Sequence, residues 1–179
     1  MRIISGKYKG RRISAPKRLP VRPTTDMAKE ALFNILNNTY YFDEICVLDL
    51  FAGTGNISYE FASRGTDQIV CVDADHGCVK FIDKTAQEFG FGITTVKSDA
   101  LKYLEKTTYK ATIIFADPPY SMSLTDFSKI PETVFNNKLL LEGGVLIIEH
   151  SKQTDLSHLA HFTNQRKYGG SIFSFFERE

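Results

Sequence analysis

The stretch Ala111-Thr112-Ile113-Ile114-Phe115-Ala116-Asp117-Pro118-Pro119-Tyr120 decides how the chain is read. Its first six residues are apolar or β-favouring without alternation, the pattern of a strand buried on both faces in a parallel sheet. An acid closes the strand, where open α/β sheets place their ligands. The prolines fix φ and lack N–H groups, so the turn that follows is stiff. Asp117 precedes a proline and is itself held toward extended geometry. An ionised Asp117 carboxylate and the Pro118 carbonyl offer acceptors and no donor. Such a pair suits a group bearing two N–H bonds, an exocyclic amine, and Tyr120 adds a flat face for stacking a base.

Upstream lie further strand–acid units. Ile45-Cys46-Val47-Leu48-Asp49-Leu50 reads as a buried strand running into Phe51-Ala52-Gly53-Thr54-Gly55-Asn56 and a helix over about 57–63. Glycines there allow backbone to approach a ligand at a helix N-terminus. A nicotinamide-cofactor fingerprint needs a third glycine, and Ser58 stands in its place. Gln68-Ile69-Val70-Cys71-Val72-Asp73 is a second strand, whose terminal acid lies 18 residues beyond Gly55 and can accept ribose hydroxyls; Asp75 competes for that role. A helix over 76–89 follows, then a short strand at 93–96 leading to Ser98-Asp99-Ala100. Asp99 suits an adenine amine or a helix N-cap, with Ala100 leaving room for a ring. A loop and a helix broken at Pro131 lead to a strand at 145–149, entered through Gly143-Gly144 and ending in Glu149-His150-Ser151. His150 is a candidate substrate contact or a structural histidine. A hairpin around Gly169-Gly170 carries Arg166 and Lys167 before it and a last strand at 172–176 after it.

The net charge of +1 conceals an asymmetry. Residues 1–22 hold eight basic side chains (Arg2, Lys7, Lys9, Arg11, Arg12, Lys17, Arg18, Arg22) and no acid, which leaves the remainder at about −7. Residues 2–14 read as a hairpin turning through Gly6–Gly10, either a phosphate-binding arm or a solvated edge. Prolines at 16, 20 and 23 punctuate a connector; Thr24, Thr25 or Asp26 can then cap a helix bearing Ala28, Ala31, Leu32, Ile35 and Leu36 on one face. Cys46, Cys71 and Cys78 lack metal-ligand spacing and read as reduced thiols of a cytoplasmic protein. No stretch has the length and apolarity of a membrane span.

Asp117-Pro118-Pro119-Tyr120 resembles the motif of amino-group N-methyltransferases that use S-adenosylmethionine, and Asp49-Leu50-Phe51-Ala52-Gly53-Thr54-Gly55 resembles their first motif. Adding Arg2-Ile3-Ile4-Ser5-Gly6-Lys7-Tyr8-Lys9-Gly10-Arg11, Arg22-Pro23-Thr24-Thr25-Asp26, Glu30-Ala31-Leu32-Phe33-Asn34-Ile35-Leu36, Ser98-Asp99-Ala100 and Glu149-His150-Ser151, the chain resembles the RsmD-like bacterial 16S ribosomal RNA guanine-N2 methyltransferases over roughly residues 1–170. The N-terminal block and Arg22-Pro23-Thr24 are the specific signals. Met27 and Thr85 depart from the family, where arginine and asparagine are common.

The resemblance implies an α/β, Rossmann-like class I methyltransferase fold: a seven-stranded, mostly parallel sheet with helices on both faces, extended by a small N-terminal β-hairpin. It divides the chain into a basic arm (1–23) and a methyltransferase domain (24–179). It implies methyl transfer to the N2 amine of a guanine, of the kind known at guanine 966 of 16S RNA. Asp117, Pro118 and Tyr120 would act at the amine. S-adenosylmethionine would be held by Thr24, Asp49, Phe51, Ala52, Gly53, Gly55, Asp73, Ala74, Asp99 and Ala100. RNA would be met by Arg2, Lys7, Lys9, Arg11, Arg12, Arg22, His150 and Arg166. The expected partner is ribosomal RNA or a partly assembled small subunit, met by a monomer, with no metal. Three alternatives stay open: a DNA amino-methyltransferase, which would usually need a separate target-recognition region; a protein glutamine methyltransferase, whose motif normally begins with Asn; and a non-catalytic RNA-binding protein on the same fold.

Overall fold

The computed structural model describes residues 1–19 and 24–178. In chain order the elements are α1 (Asp26–Leu36), β1 (Cys46–Leu50), α2 (Asn56–Ser63), β2 (Gln68–Asp73), α3 (His76–Phe89), β3 (Ile93–Lys97), α4 (Ala100–Lys106), β4 (Ala111–Ala116), α5 (Leu124–Asn136), β5 (Leu140–Ser151), β6 (Phe162–Tyr168) and β7 (Ser171–Glu177). The strands form one sheet in the order β3-β2-β1-β4-β5-β7-β6. β1 to β5 are mutually parallel, while β7 runs antiparallel between β5 and β6. The chain winds outward from β1 to β3, then returns to place β4 on the other side of β1. That reversal opens a crevice at the carboxyl ends of β1 and β4, the position at which doubly wound sheets bind ligands.

Alternation along the strands divides the apolar interior in two. Val47, Phe115, Ile147 and Phe173 pack with Leu32, Phe33, Ile57, Phe61 and Ile82 on one face. Leu48, Leu50, Ile114, Leu146 and Ile148 pack with Leu104, Phe127, Ile130 and Val134 on the other. Helix starts follow the capping rule: Thr25 accepts from the Ala28 amide, Asp75 from Cys78, Asp99 from Lys102 and Ser123 from Asp126.

Two expectations need correction. The helix at 124–136 is not broken, and Pro131 lies inside it. A proline cannot donate to the carbonyl four residues earlier; here its ring is buried beside Phe127, Ile130 and Val134 on the face that packs against the sheet, which offsets that loss. β5 extends from Leu140 to Ser151, so Gly143 and Gly144 lie within it. A Cβ on Gly144 would stand 2.7 Å from the Thr112 carbonyl oxygen, at a shift in the β4–β5 register. The N-terminal segment pairs with itself about an antiparallel bridge from Arg2 to Arg12: the Ile3 amide donates to the Arg11 carbonyl (2.9 Å), the Gly10 amide to the Ile3 carbonyl (2.8 Å) and the Ile13 amide to the Met1 carbonyl (3.0 Å).

The arm's backbone also bonds to α2. Glu60, with 0% of its side chain exposed, accepts from the amides of Ile4 (2.8 Å) and Ser5 (3.0 Å) and from Arg64 Nε (2.8 Å). The Lys7 amide donates to the Ser63 carbonyl at 2.7 Å. Gly6 has φ +83° and lies so close to that carbonyl that no side chain fits. Lys29, 1% exposed, donates to the Arg2 carbonyl (2.6 Å) and Asn56 Oδ1 (2.8 Å) and stands 3.8 Å from Glu60. Ile3 and Ile13 enter the core with α1 and α2.

Removing one partner of a buried ion pair strands the other. Glu60→Ala is therefore expected to lower unfolding free energy by roughly 3–5 kcal/mol, measured by urea denaturation. Lys129→Ala, which breaks only the exposed pair with Asp126, should leave the curve unchanged.

Candidate active site

The crevice is a cavity of about 840 Å³ lined by the ends of β1, β2, β4 and β5, the start of α1, and the β6–β7 turn. Its first half is built on the glycine loop. Phe51, Gly53 and Gly55 all have positive φ (59°, 55° and 82°), which turns the chain sharply between β1 and α2. The loop is tied to the neighbouring strand: the Ala52 amide donates to the Val72 carbonyl (3.0 Å), and the Gly53 amide to Asp73 Oδ2 (2.8 Å). Asp73 Oδ1 accepts from the Asp75 amide at 2.8 Å. Asp75 itself lines the cavity while capping α3.

Asp49, at the end of β1, is buried and takes a 2.6 Å hydrogen bond from Ser58 Oγ. Burial pushes its carboxyl up to about 7; the Ser58 bond pulls it down, and the nearby Asp73 charge adds to the rise. Ser58 in turn receives a bond from Cys71 Sγ.

The second half lies at the ends of β4 and β5. The Asp117 amide donates to the Leu50 carbonyl at 3.4 Å, joining the turn to β1. Burial holds the Asp117 carboxyl well above the usual range, and the charges of Glu149 and Asp49 raise it further. Glu149, 4% exposed, accepts from Thr24 Oγ1 on Oε2 and from Ser171 Oγ on Oε1, both at 2.6 Å. Its carboxyl is also raised by burial, against the pull of those two bonds. Tyr120 is 63% exposed at the mouth. Three desolvated acids on one wall favour a cationic ligand, because a nearby cation stabilises their ionised forms.

Of the residues singled out from the sequence, Thr24, Asp49, Phe51, Ala52, Gly53, Asp73, Ala74, Ala100, Asp117, Pro118 and Tyr120 line this cavity. Gly55 stands behind it; a Cβ there would lie 2.7 Å from the Tyr59 ring. Asp99 is exposed and caps α4, while Ser98 and Ala100 form the wall beside it. His150 is corrected: its side chain points to the opposite face of the sheet, with Nε2 2.7 Å from Ser174 Oγ. Strand alternation places Glu149 in the cavity and therefore turns His150 away. Lys167, next to the β6–β7 turn, lines the cavity, while exposed Arg166 does not. Arg2, Lys7, Lys9, Arg11 and Arg12 are exposed on the arm, and Arg22 lies outside the described residues. Glu149, Ser171 and Asn56 are site residues that sequence reasoning missed. The signal for Glu149 was present: it is an acid directly after the apolar run Val145-Leu146-Ile147-Ile148, as Asp73 and Asp117 are after theirs. Among the described residues no metal-binding cluster occurs, and no helix is long and apolar enough to cross a membrane.

The family described as "Conserved hypothetical protein 95" matches residues 1–177. The chain is 30% identical to "Ribosomal RNA small subunit methyltransferase D" of Buchnera aphidicola subsp. Acyrthosiphon pisum, covering 92% of this chain and 85% of that protein. Among solved structures it resembles a hypothetical protein of Thermus thermophilus, with a TM-score of 0.84 and 27% identity over 99% of both chains. It also shares the fold of the T. thermophilus 16S rRNA N2 G1207 methyltransferase RsmC, solved with AdoMet and guanosine, with a TM-score of 0.69 and 20% identity; that match covers 90% of this chain and 45% of that one.

Asp49 has a folded-state pKa above its ordinary 3.8. Its protonated form favours the fold, and that contribution is lost as pH rises from about 4 toward about 7. Asp49→Asn should therefore match the wild type near the lower pH and exceed it in stability above about 7, by on the order of 2–4 kcal/mol without ligand. Denaturant titrations across that range check both the sign and the plateau.

Proposed function

The chain belongs to the Conserved hypothetical protein 95 family, and from that premise we propose that it methylates the exocyclic N2 amine of a guanine in small-subunit ribosomal RNA. At the coarser level it is an S-adenosylmethionine-dependent RNA methyltransferase, in keeping with relatives named for small-subunit ribosomal RNA methylation. The finer target follows the resemblance to enzymes of guanine 966 and the fold neighbour whose title names guanosine. The observation that carries this reading is Asp117 and Pro118, acceptors beside a cavity whose other half is the acid-lined glycine loop.

The donor set fits the cofactor. Asp49 supplies a buried carboxylate toward an ammonium group, Asp73 keeps free lone pairs toward ribose hydroxyls, and Ala100 leaves room for a ring. Phe51, Ala52, Gly53, Ala74 and Thr24 complete the wall, with Gly55 holding the loop's turn. When bound, S-adenosylmethionine supplies an electrophilic methyl group on a sulfonium centre.

The protein's contribution is orientation and charge. A guanine amine is a weak nucleophile because its lone pair is delocalised into the ring. Accepting its N–H bonds at the Asp117 carboxylate and the Pro118 carbonyl favours a pyramidal nitrogen with its lone pair free, and fixed positioning lowers the barrier. Asp117 offsets the positive charge that develops on nitrogen. Its burial makes it more basic, so it is suited to receive the departing proton. The base must be unpaired or flipped to enter, and Tyr120 offers a stacking face at the mouth. The cations of the arm bring the phosphate backbone alongside, and the partner is ribosomal RNA, free or partly assembled, in the cytoplasm.

Asp117→Ala is expected to slow single-turnover methyl transfer by on the order of a hundredfold or more, while calorimetry shows cofactor affinity little changed. A near-normal rate would overturn the assignment.

Deleting the arm would remove Ile3 and Ile13 from the core and the partners of Glu60. Its phosphate role is better tested by changing the exposed Lys7, Lys9, Arg11 and Arg12 to Gln together. Such a variant should bind RNA more weakly, with a log–log salt slope flatter by about 3. An unchanged slope would leave RNA binding to other cations, such as Lys167 at the cavity.

A further inference from the structure

We propose that Glu149 reads the base: its carboxylate accepts the N1–H of the guanine whose N2 amine lies at Asp117 and Pro118, and so selects guanine over adenine-like bases. The inference rests on the methyl-transfer reading above and adds a specificity residue to it.

The placement comes from the sheet. Ala116 and Ile148 are paired in register on adjacent parallel strands. The next residues of each strand, Asp117 and Glu149, therefore stand side by side on one face, roughly 5 Å apart at the backbone. Both line the cavity. The Watson–Crick edge of guanine carries N1–H and the N2 amine next to one another, a row of donors pointing the same way. Neighbouring acceptors on β4 and β5 match that row. Adenine has a bare ring nitrogen where guanine has N1–H, so a lone pair would face the Glu149 carboxylate and leave a buried acceptor unsatisfied.

Glu149 is also held as a recognition group must be. Thr24 and Ser171 each donate to one carboxylate oxygen, fixing the side chain and favouring its ionised form. Each oxygen retains a lone pair for a further donor. Thr24 is anchored in turn, since its carbonyl accepts from Asn56 Nδ2 at 3.0 Å and Asn56 Oδ1 accepts from Lys29. A continuous set of hydrogen bonds thus joins the arm, through Lys29 and the Arg2 carbonyl, to the proposed base-reading group. A side chain needed only to join β5 to β7 and the start of α1 could have been a neutral amide. An acid buried beside Asp117 carries a desolvation cost that a purely structural link does not require.

The test uses unmodified RNA carrying either guanine or 2-aminopurine at the target position. The analogue keeps the 2-amino group but has no hydrogen on ring N1. Labelled S-adenosylmethionine, single-turnover rates and nucleoside analysis give the readout, and calorimetry with the cofactor verifies that each variant folds. The wild type should favour guanine by ~100-fold or more, as sites built around a buried hydrogen bond reject analogues lacking it. Glu149→Gln, whose amide can donate to a bare ring nitrogen, should lose guanine activity and bring the two rates within ~10-fold of each other. Thr24→Val, which removes one of the donors holding Glu149, should narrow the ratio less and tests the same point if Glu149→Gln fails to fold. Equal slowing on both substrates, with the wild-type ratio kept, would overturn the inference and leave Glu149 a structural link. Absence of N2-methylguanosine with the wild type on guanine RNA would instead overturn the function on which it rests.

Discussion

Three carboxyl groups, those of Asp49, Asp117 and Glu149, are held out of water along one edge of the sheet. Removing a carboxylate from water is costly unless it is paired or hydrogen-bonded. Here the protein supplies part of that compensation through Ser58, Thr24 and Ser171, and burial still leaves all three more basic than ordinary acids. A cation or hydrogen-bond donor brought to such a site would favour the ionised forms of these acids. Tightly packed strands β1, β4 and β5 provide the rigidity to hold the acids in place, so the sheet and the chemistry are parts of one arrangement.

The same economy appears on the other side of α2. Glu60 and Lys29 are ionisable, almost wholly buried, and turned toward backbone groups of the first residues of the chain. Their bonds fix the arm against α1 and α2, and Ile3 and Ile13 seal that contact with apolar surface. The cations at positions 7, 9, 11 and 12 are therefore displayed from a docked segment. An ordered display loses less conformational entropy on meeting phosphates than a free tail would.

Sequence periodicity located the five parallel strands: β1, β2, β4 and β5 as largely apolar runs suited to the middle of a sheet, and the edge strand β3 as a short β-branched run. It also located the glycine loop and the acids that end strands, since a ligand edge demands both. It could not decide whether Pro131 breaks a helix. That outcome depends on the packing of Phe127, Ile130 and Val134 around the ring, which lies outside local propensity. Nor could it anticipate that the amides of Ile4 and Ser5, at the end of the paired segment, would bond Glu60, a partner more than fifty residues away.

The sequence by itself determined the α/β class, the order of the parallel strands and the helices after β1, β2 and β4, the acceptor pair at Asp117 and Pro118, and the concentration of cations in the first 22 residues. These are consequences of side-chain chemistry and short-range periodicity, which act within a few residues. Only the tertiary structure decided that Glu149 faces the cavity while His150 turns to Ser174, and that Thr24 and Ser171 converge on the same carboxylate. It also decided that Asp99 caps a helix behind the wall. Each of those outcomes depends on the register between strands and on contacts between residues far apart in the chain. Such contacts form only when the whole sheet closes, and no local run of residues encodes them.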